Sequence, residues 1–137
     1  MKRLLCMITL LPFGFFGSCN SRDQQQDNSK AAVTEPQKIT ASQAKTLMDE
    51  GKPYTLLDVR TVEEFNGGRI KGAMLIPVDE LSSRAEKELP DKNATILVYC
   101  RSGARSARAA QILADLGFTA IYDFGGLMGW PYEIVNE

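Results

Sequence analysis

Ala94-Thr95-Ile96-Leu97-Val98-Tyr99-Cys100 runs apolar into a thiol, and Arg101-Ser102-Gly103-Ala104-Arg105-Ser106 follows at once. An apolar run of this length between polar flanks reads as a strand buried on both faces. Past the small basic loop the chain turns alanine-rich, and Arg105 to Leu116 carries a helical pattern closed by Gly117. A strand that hands a thiol to the start of a helix puts sulfur beside unpaired backbone N–H groups and the positive end of the dipole. Arg101 and Arg105 add full positive charges. Such surroundings lower a thiol's pKa and make it a nucleophile near neutral pH.

Upstream of this stretch the pattern alternates. Thr40-Ala41-Ser42-Gln43 matches a capping box, with Ala44, Leu47 and Met48 on one helical face and Gly51 as the stop. Tyr54 to Val59 reads as a strand. Thr61-Val62-Glu63-Glu64 opens a second, short helix that ends at Gly67-Gly68. Ala73 to Ile76 is a short strand closed by Pro77, and Asp79 to Leu89 is helical, with Pro90 as terminator. Downstream of Gly117, Thr119 to Tyr122 supplies one more strand. This alternation predicts a single α/β domain with a mostly parallel sheet covered by helices on both faces.

The N-terminal third is different in kind. Met1-Lys2-Arg3 is basic, and Leu4 to Phe16 is apolar apart from Thr9. That is shorter than the roughly 20 apolar residues of a spanning helix, and its order matches an export signal. Phe16-Gly17-Ser18-Cys19 resembles the lipobox of bacterial lipoproteins, with Cys19 as the lipidated residue. Asn20 after the cysteine, by resemblance to lipoprotein sorting rules, points to the outer membrane. A secreted soluble protein is the alternative. Residues 19–37 are polar and low in complexity and read as a tether spanning about 20–25 Å on average. The chain thus divides into a signal (1–18), a tether (19–37) and a folded domain (38–137).

Composition narrows the chemistry. The 137 residues carry a formal net charge of −1, which offers no electrostatic footprint for nucleic acid. Histidine is absent, which removes Ser-His and Cys-His hydrolase schemes and any histidine metal site. No metal or cofactor is called for. Of three cysteines, Cys6 lies within the signal and Cys19 would carry lipid. Cys100 is then an unpaired thiol in an exported protein, a liability unless it works.

Leu56-Leu57-Asp58-Val59-Arg60, Glu64-Phe65, Gly68-Arg69-Ile70-Lys71-Gly72-Ala73 and Ile76-Pro77 together resemble the rhodanese-domain signature. The Cys100 loop, Gly125-Gly126-Leu127 and Trp130 continue the series in order, from about Lys38 to Val135. The resemblance implies a rhodanese-like fold and a sulfurtransferase whose Cys100 carries sulfur as a persulfide. In that scheme the Arg101-to-Ser106 loop cradles the terminal sulfur with its amides, and Gly103 permits the tight curl. Arg101 and Arg105 attract an anionic donor, or pair with a surface carboxylate. Asp58 and Arg60 are implied to be buried supports that pair with each other's neighbours, such as Glu64. Trp130 reads as a core or rim aromatic, and Arg69 stands where the family most often has His.

Cysteine phosphatases resemble C-x5-R, with arginine six residues after the cysteine. Here Ser106 occupies that place and Arg105 comes one earlier, a shorter loop better suited to a sulfur atom than to a phosphate group. The implied partners are a small sulfur-containing anion such as thiosulfate, a thiol or cyanide acceptor, and a thiol-relay protein. The membrane would be reached through the lipid. The alternative reading is a non-turnover sulfur carrier or a partner-docking module.

Overall fold

The computed structural model describes residues 34–136, so the expected signal, Cys19 and most of the tether lie outside the described residues. Five strands form one sheet in the order β1-β5-β4-β2-β3. They are β1 (Gln37–Lys38), β2 (Thr55–Asp58), β3 (Met74–Leu75), β4 (Thr95–Cys100) and β5 (Ala120–Gly126). Every pairing between these strands is parallel. The helices are α1 (Ala41–Asp49), α2 (Val62–Asn66), α3 (Leu81–Glu88) and α4 (Ala104–Asp115), and a 3-10 turn, Leu127–Gly129, follows β5.

The apolar run in β4 has the cause expected of a central parallel strand, since residues on both of its faces are covered. Ile96, Val98 and Cys100 face one core cluster with Leu57, Val59 and Ile121, packed under Leu81 and Ala85 of α3 and Ala109, Ala110 and Leu113 of α4. Leu97 and Tyr99 alternate to the other cluster with Leu56, Phe124, Trp130 and Ala44 of α1. Alanines at 109 and 110 let α4 lie close on the sheet, which fixes the height of its N-terminus above β4.

Both expected capping boxes form. Thr40 Oγ1 accepts the Gln43 amide at 3.1 Å, and Gln43 Oε1 accepts the Thr40 amide at 2.8 Å. Thr61 and Glu64 repeat the exchange at 3.3 and 3.1 Å. Element ends differ more. β5 runs on to Gly126, past the expected end at Tyr122, because Asp123 is satisfied inside the sheet by Lys38. β1 had no sequence signal: its two residues are exposed, and pairing with Tyr122 and Asp123 alone makes it a strand. α3 begins at Leu81, since Pro77 to Glu80 forms a turn with the Glu80 amide on the Pro77 carbonyl.

Candidate active site

The carboxyl ends of β2, β4 and β5 converge, and in an open α/β sheet that edge is where ligands bind. β4 delivers Cys100 there. The β4–β5 register slips between Val98 and Cys100, so that Cys100 pairs with Gly126 and the chain leaves the sheet at once. Gly103 then turns back with φ +110°, a left-handed conformation that a side chain would strain, and serves as N-cap of α4. No side chain caps this helix. Its free amides are therefore left for the sulfur.

The Gly103 amide donates to Cys100 Sγ at 3.0 Å. Burial of the residue, which is 1% exposed, pushes the thiol's pKa up. The amides of Ser106, Gly103 and Ser102 act against it, and the net result is a thiol held below its ordinary value. Of these groups only the Gly103 amide meets hydrogen-bond geometry; the others act as dipoles aimed at the sulfur. On its far side Cys100 packs into the apolar cluster. The sulfur is thus amide-facing on one side and apolar on the other.

The loop is held from below and from the side. Ser106 is fully buried, and its hydroxyl shares its proton between the carbonyls of Gly103 and Gly125, each at 3.0 Å. The Arg101 carbonyl accepts the Met128 amide at 3.1 Å. A β-carbon on Gly126 would lie 2.3 Å from the Arg101 carbonyl carbon and oxygen, so the loop rests directly on that glycine's backbone. Ser102 and Ala104 are exposed at the rim.

The two loop arginines have separate fates. Arg105 forms a two-point pair with Glu64 of α2, Nη1 to Oε2 at 2.6 Å and Nη2 to Oε1 at 2.8 Å. The pair draws the Glu64 carboxyl down to about 2, chiefly through the Arg105 hydrogen bonds, and raises Arg105 further. Arg101 is exposed and makes no ion pair among the described residues. It borders a cavity of about 350 Å³ together with Arg60, Glu64, Leu127, Met128 and Ile134. Cys100 itself does not line that cavity.

Asp58 and Arg60 are buried, as the family resemblance implied, but their partners correct the expectation. They pair with each other: Arg60 Nη2 meets Asp58 Oδ2 at 2.6 Å, and Nε meets Oδ1 at 2.9 Å. Arg60 also donates to the Gly68 carbonyl at 2.8 Å and lies over the Tyr99 ring. Glu64, in the first turn of α2, pairs with Arg105 instead. Tyr99 receives the Ile70 amide on its hydroxyl at 3.2 Å, and burial drives its pKa up. Trp130 is 9% exposed and packs on Phe124, a core role. Arg69 stacks on Phe65 at 4.5 Å.

Two residues at the loop went unread in the sequence. Asp123 and Lys38 pair at 2.9 Å beneath it. Asp123 fell just past the expected strand end at Tyr122, and Lys38 at the first residue of the expected domain.

A family model described as rhodanese-like domain matches residues 40–132. The chain is 39% identical over 71 residues to the thiosulfate sulfurtransferase PspE of Escherichia coli (strain K12), covering 52% of this chain and 68% of that protein. It is 43% identical over 80 residues to the uncharacterized protein YqhL of Bacillus subtilis (strain 168), covering 58% of this chain and 62% of that one. Among solved structures, a rhodanese with anions from E. coli superposes with a TM-score of 0.58 at 34% identity, over 62% of this chain and all of that one.

Proposed function

The chain belongs to the rhodanese-like domain family, and from that premise we propose that it is a sulfurtransferase working through a Cys100 persulfide. The Cys100 thiolate attacks the outer sulfur of thiosulfate or of an organic persulfide. With thiosulfate the donor's S–S bond breaks, sulfite leaves with the bond's electron pair, and Cys100 keeps the sulfane sulfur as an anionic persulfide. An acceptor nucleophile, a thiolate or cyanide, then takes that sulfur and returns the thiolate. Charge is conserved in both halves, so the site needs no proton relay, in keeping with a chain that lacks histidine.

The observation that carries this reading is the Gly103 amide on Cys100 Sγ, with the amides of Ser102 and Ser106 behind it. Preorganised N–H groups stabilise an anion that moves outward by one sulfur without rearranging around it. Arg101 supplies the open cation for an anionic donor, while Arg105, neutralised by Glu64, holds α2 against the loop. The family resemblance to PspE supports thiosulfate as the donor to try first. The chain incubated with thiosulfate and cyanide is expected to yield thiocyanate, and Cys100→Ser to abolish it. Undiminished turnover in Cys100→Ser would overturn the proposal.

A second reading draws on the 1% exposure of Cys100. A sulfur so enclosed suits a carrier that opens only against a partner thiol. Mass spectrometry separates the two, because a carrier gains the mass of one sulfur on Cys100 and forms no thiocyanate. In either case the signal-like N-terminus and the lipobox-like Phe16-Gly17-Ser18-Cys19 support a lipid-anchored protein on the periplasmic side of a bacterial membrane.

A further inference from the structure

We infer that Asp123, clamped by Lys38, is a positioning residue that holds the Cys100 loop in its amide-facing geometry through Gly125 and Ser106. The inference rests on the reading of Cys100 as the nucleophile. Asp123 is 3% exposed, and a carboxylate so buried must have its oxygens satisfied. Oδ2 takes the Lys38 ammonium at 2.9 Å, and Oδ1 takes the Gly125 amide at 2.9 Å. Both contacts fall where β5 turns beneath the loop.

From Gly125 the connection continues upward. Its carbonyl receives the Ser106 hydroxyl, which also reaches the Gly103 carbonyl, and the Gly103 amide sits on the sulfur. The backbones also touch: a β-carbon on Gly103 would lie 3.6 Å from Gly125 Cα and 4.0 Å from Lys38 Nζ. A shift of Gly125 therefore moves the donor that faces Cys100. Lys38 lies just before the residues 40–132 matched by the family model, so half of this clamp is contributed by the edge strand β1.

Charge alone predicts the opposite sign for Asp123. The charged groups around the Cys100 loop are Arg101 in the loop, Arg105 on α4 with Glu64 of α2, the Asp58–Arg60 pair at the end of β2, Lys38 on β1 and Asp123 on β5. Removing Asp123 deletes a negative charge, which by Coulomb's law favours the thiolate. Losing the amide's position disfavours it.

The test is the pH dependence of iodoacetamide labelling, read by mass spectrometry on the Cys100 peptide of the full chain, alongside thiosulfate–cyanide turnover. Asp123→Ala is expected to move the labelling midpoint upward and to cut turnover about tenfold or more, as a misplaced reacting group does. Asp123→Asn keeps an acceptor for the Gly125 amide and is expected to recover most of both. A midpoint that falls or stays put in Asp123→Ala overturns the inference, as does an Asp123→Asn variant as impaired as the alanine. Should Asp123→Ala not fold, Lys38→Ala decides, because that side chain is 66% exposed. It should shift the midpoint upward and slow turnover even at high salt, where a plain charge effect is screened. No shift, or one that salt abolishes, overturns the clamp. If wild-type Cys100 labels like free cysteine, the nucleophile reading fails instead.

Discussion

Gly126 leaves no room for even a methyl group. Its backbone is extended and would suit any residue, yet a β-carbon there would sit 2.6 Å from the Ser102 amide nitrogen and closer still to the Arg101 carbonyl. The obstructing atoms are backbone, and backbone cannot swing aside. Gly126→Ala is therefore expected to destabilise by about 1–3 kcal/mol through overpacking and to displace the Cys100 loop. Urea unfolding and thiocyanate formation read the two effects, and the loss of turnover should exceed what the lost stability accounts for. A variant with wild-type turnover would mean that the loop does not rest on this glycine. Cys100, Arg101 and Gly103 were legible as a site because thiol, charge and small residues sit side by side. Gly126 stood out only as part of the family signature, and the contact that requires it was not legible, since it comes from a chain segment more than twenty residues away.

Among the elements, α2 contributes more to the site than its length suggests. Its five residues bury nothing fully, and its start is set by the Thr61–Glu64 capping box. The same Glu64 then grips Arg105 on α4. Glu64→Gln separates the two roles, because glutamine at that helical position still completes a capping box while the ion pair is lost. The Glu64 carboxyl titrates at about 2 in the folded chain against an ordinary 4.5. Its pKa is depressed by folding, so its stabilisation is fully present above the ordinary value and disappears as pH falls from 4.5 toward 2. The side chains are 25% and 34% exposed, and solvent screening keeps the contribution to about 1 kcal/mol at most. Urea midpoints of wild type and Glu64→Gln should accordingly differ at pH 7 and converge across that interval. A constant gap down to pH 2 would show that the pair is not what Glu64 provides. Helix starts were readable here because caps are local. The length of β5 and the existence of β1 were not, because Asp123 and Lys38 become strand residues only by satisfying each other.

For the molecule as a whole, the sheet order puts β4 at the centre and brings three strand ends together under one loop. Among the described residues no helix is long and apolar enough to cross a membrane. On the proposed lipid-anchored reading, attachment runs through Cys19. Expression in a bacterium with a clickable fatty acid is expected to label the full chain and leave it in the membrane fraction. Cys19→Ala should lose the label and become soluble, and a variant still membrane-bound would count against the anchor. Alternating elements, two capping boxes and an apolar strand ending in a thiol were enough to specify an α/β domain with a thiol at a strand end. Those signals are local, or repeat with a fixed period, and a linear chain displays them directly. Tertiary structure alone decided that Asp58 closes on Arg60, that Glu64 takes Arg105, and that Lys38 and Asp123 meet under Gly125. Buried charges choose partners by what the fold brings within about 3 Å, and sequence order does not record that distance.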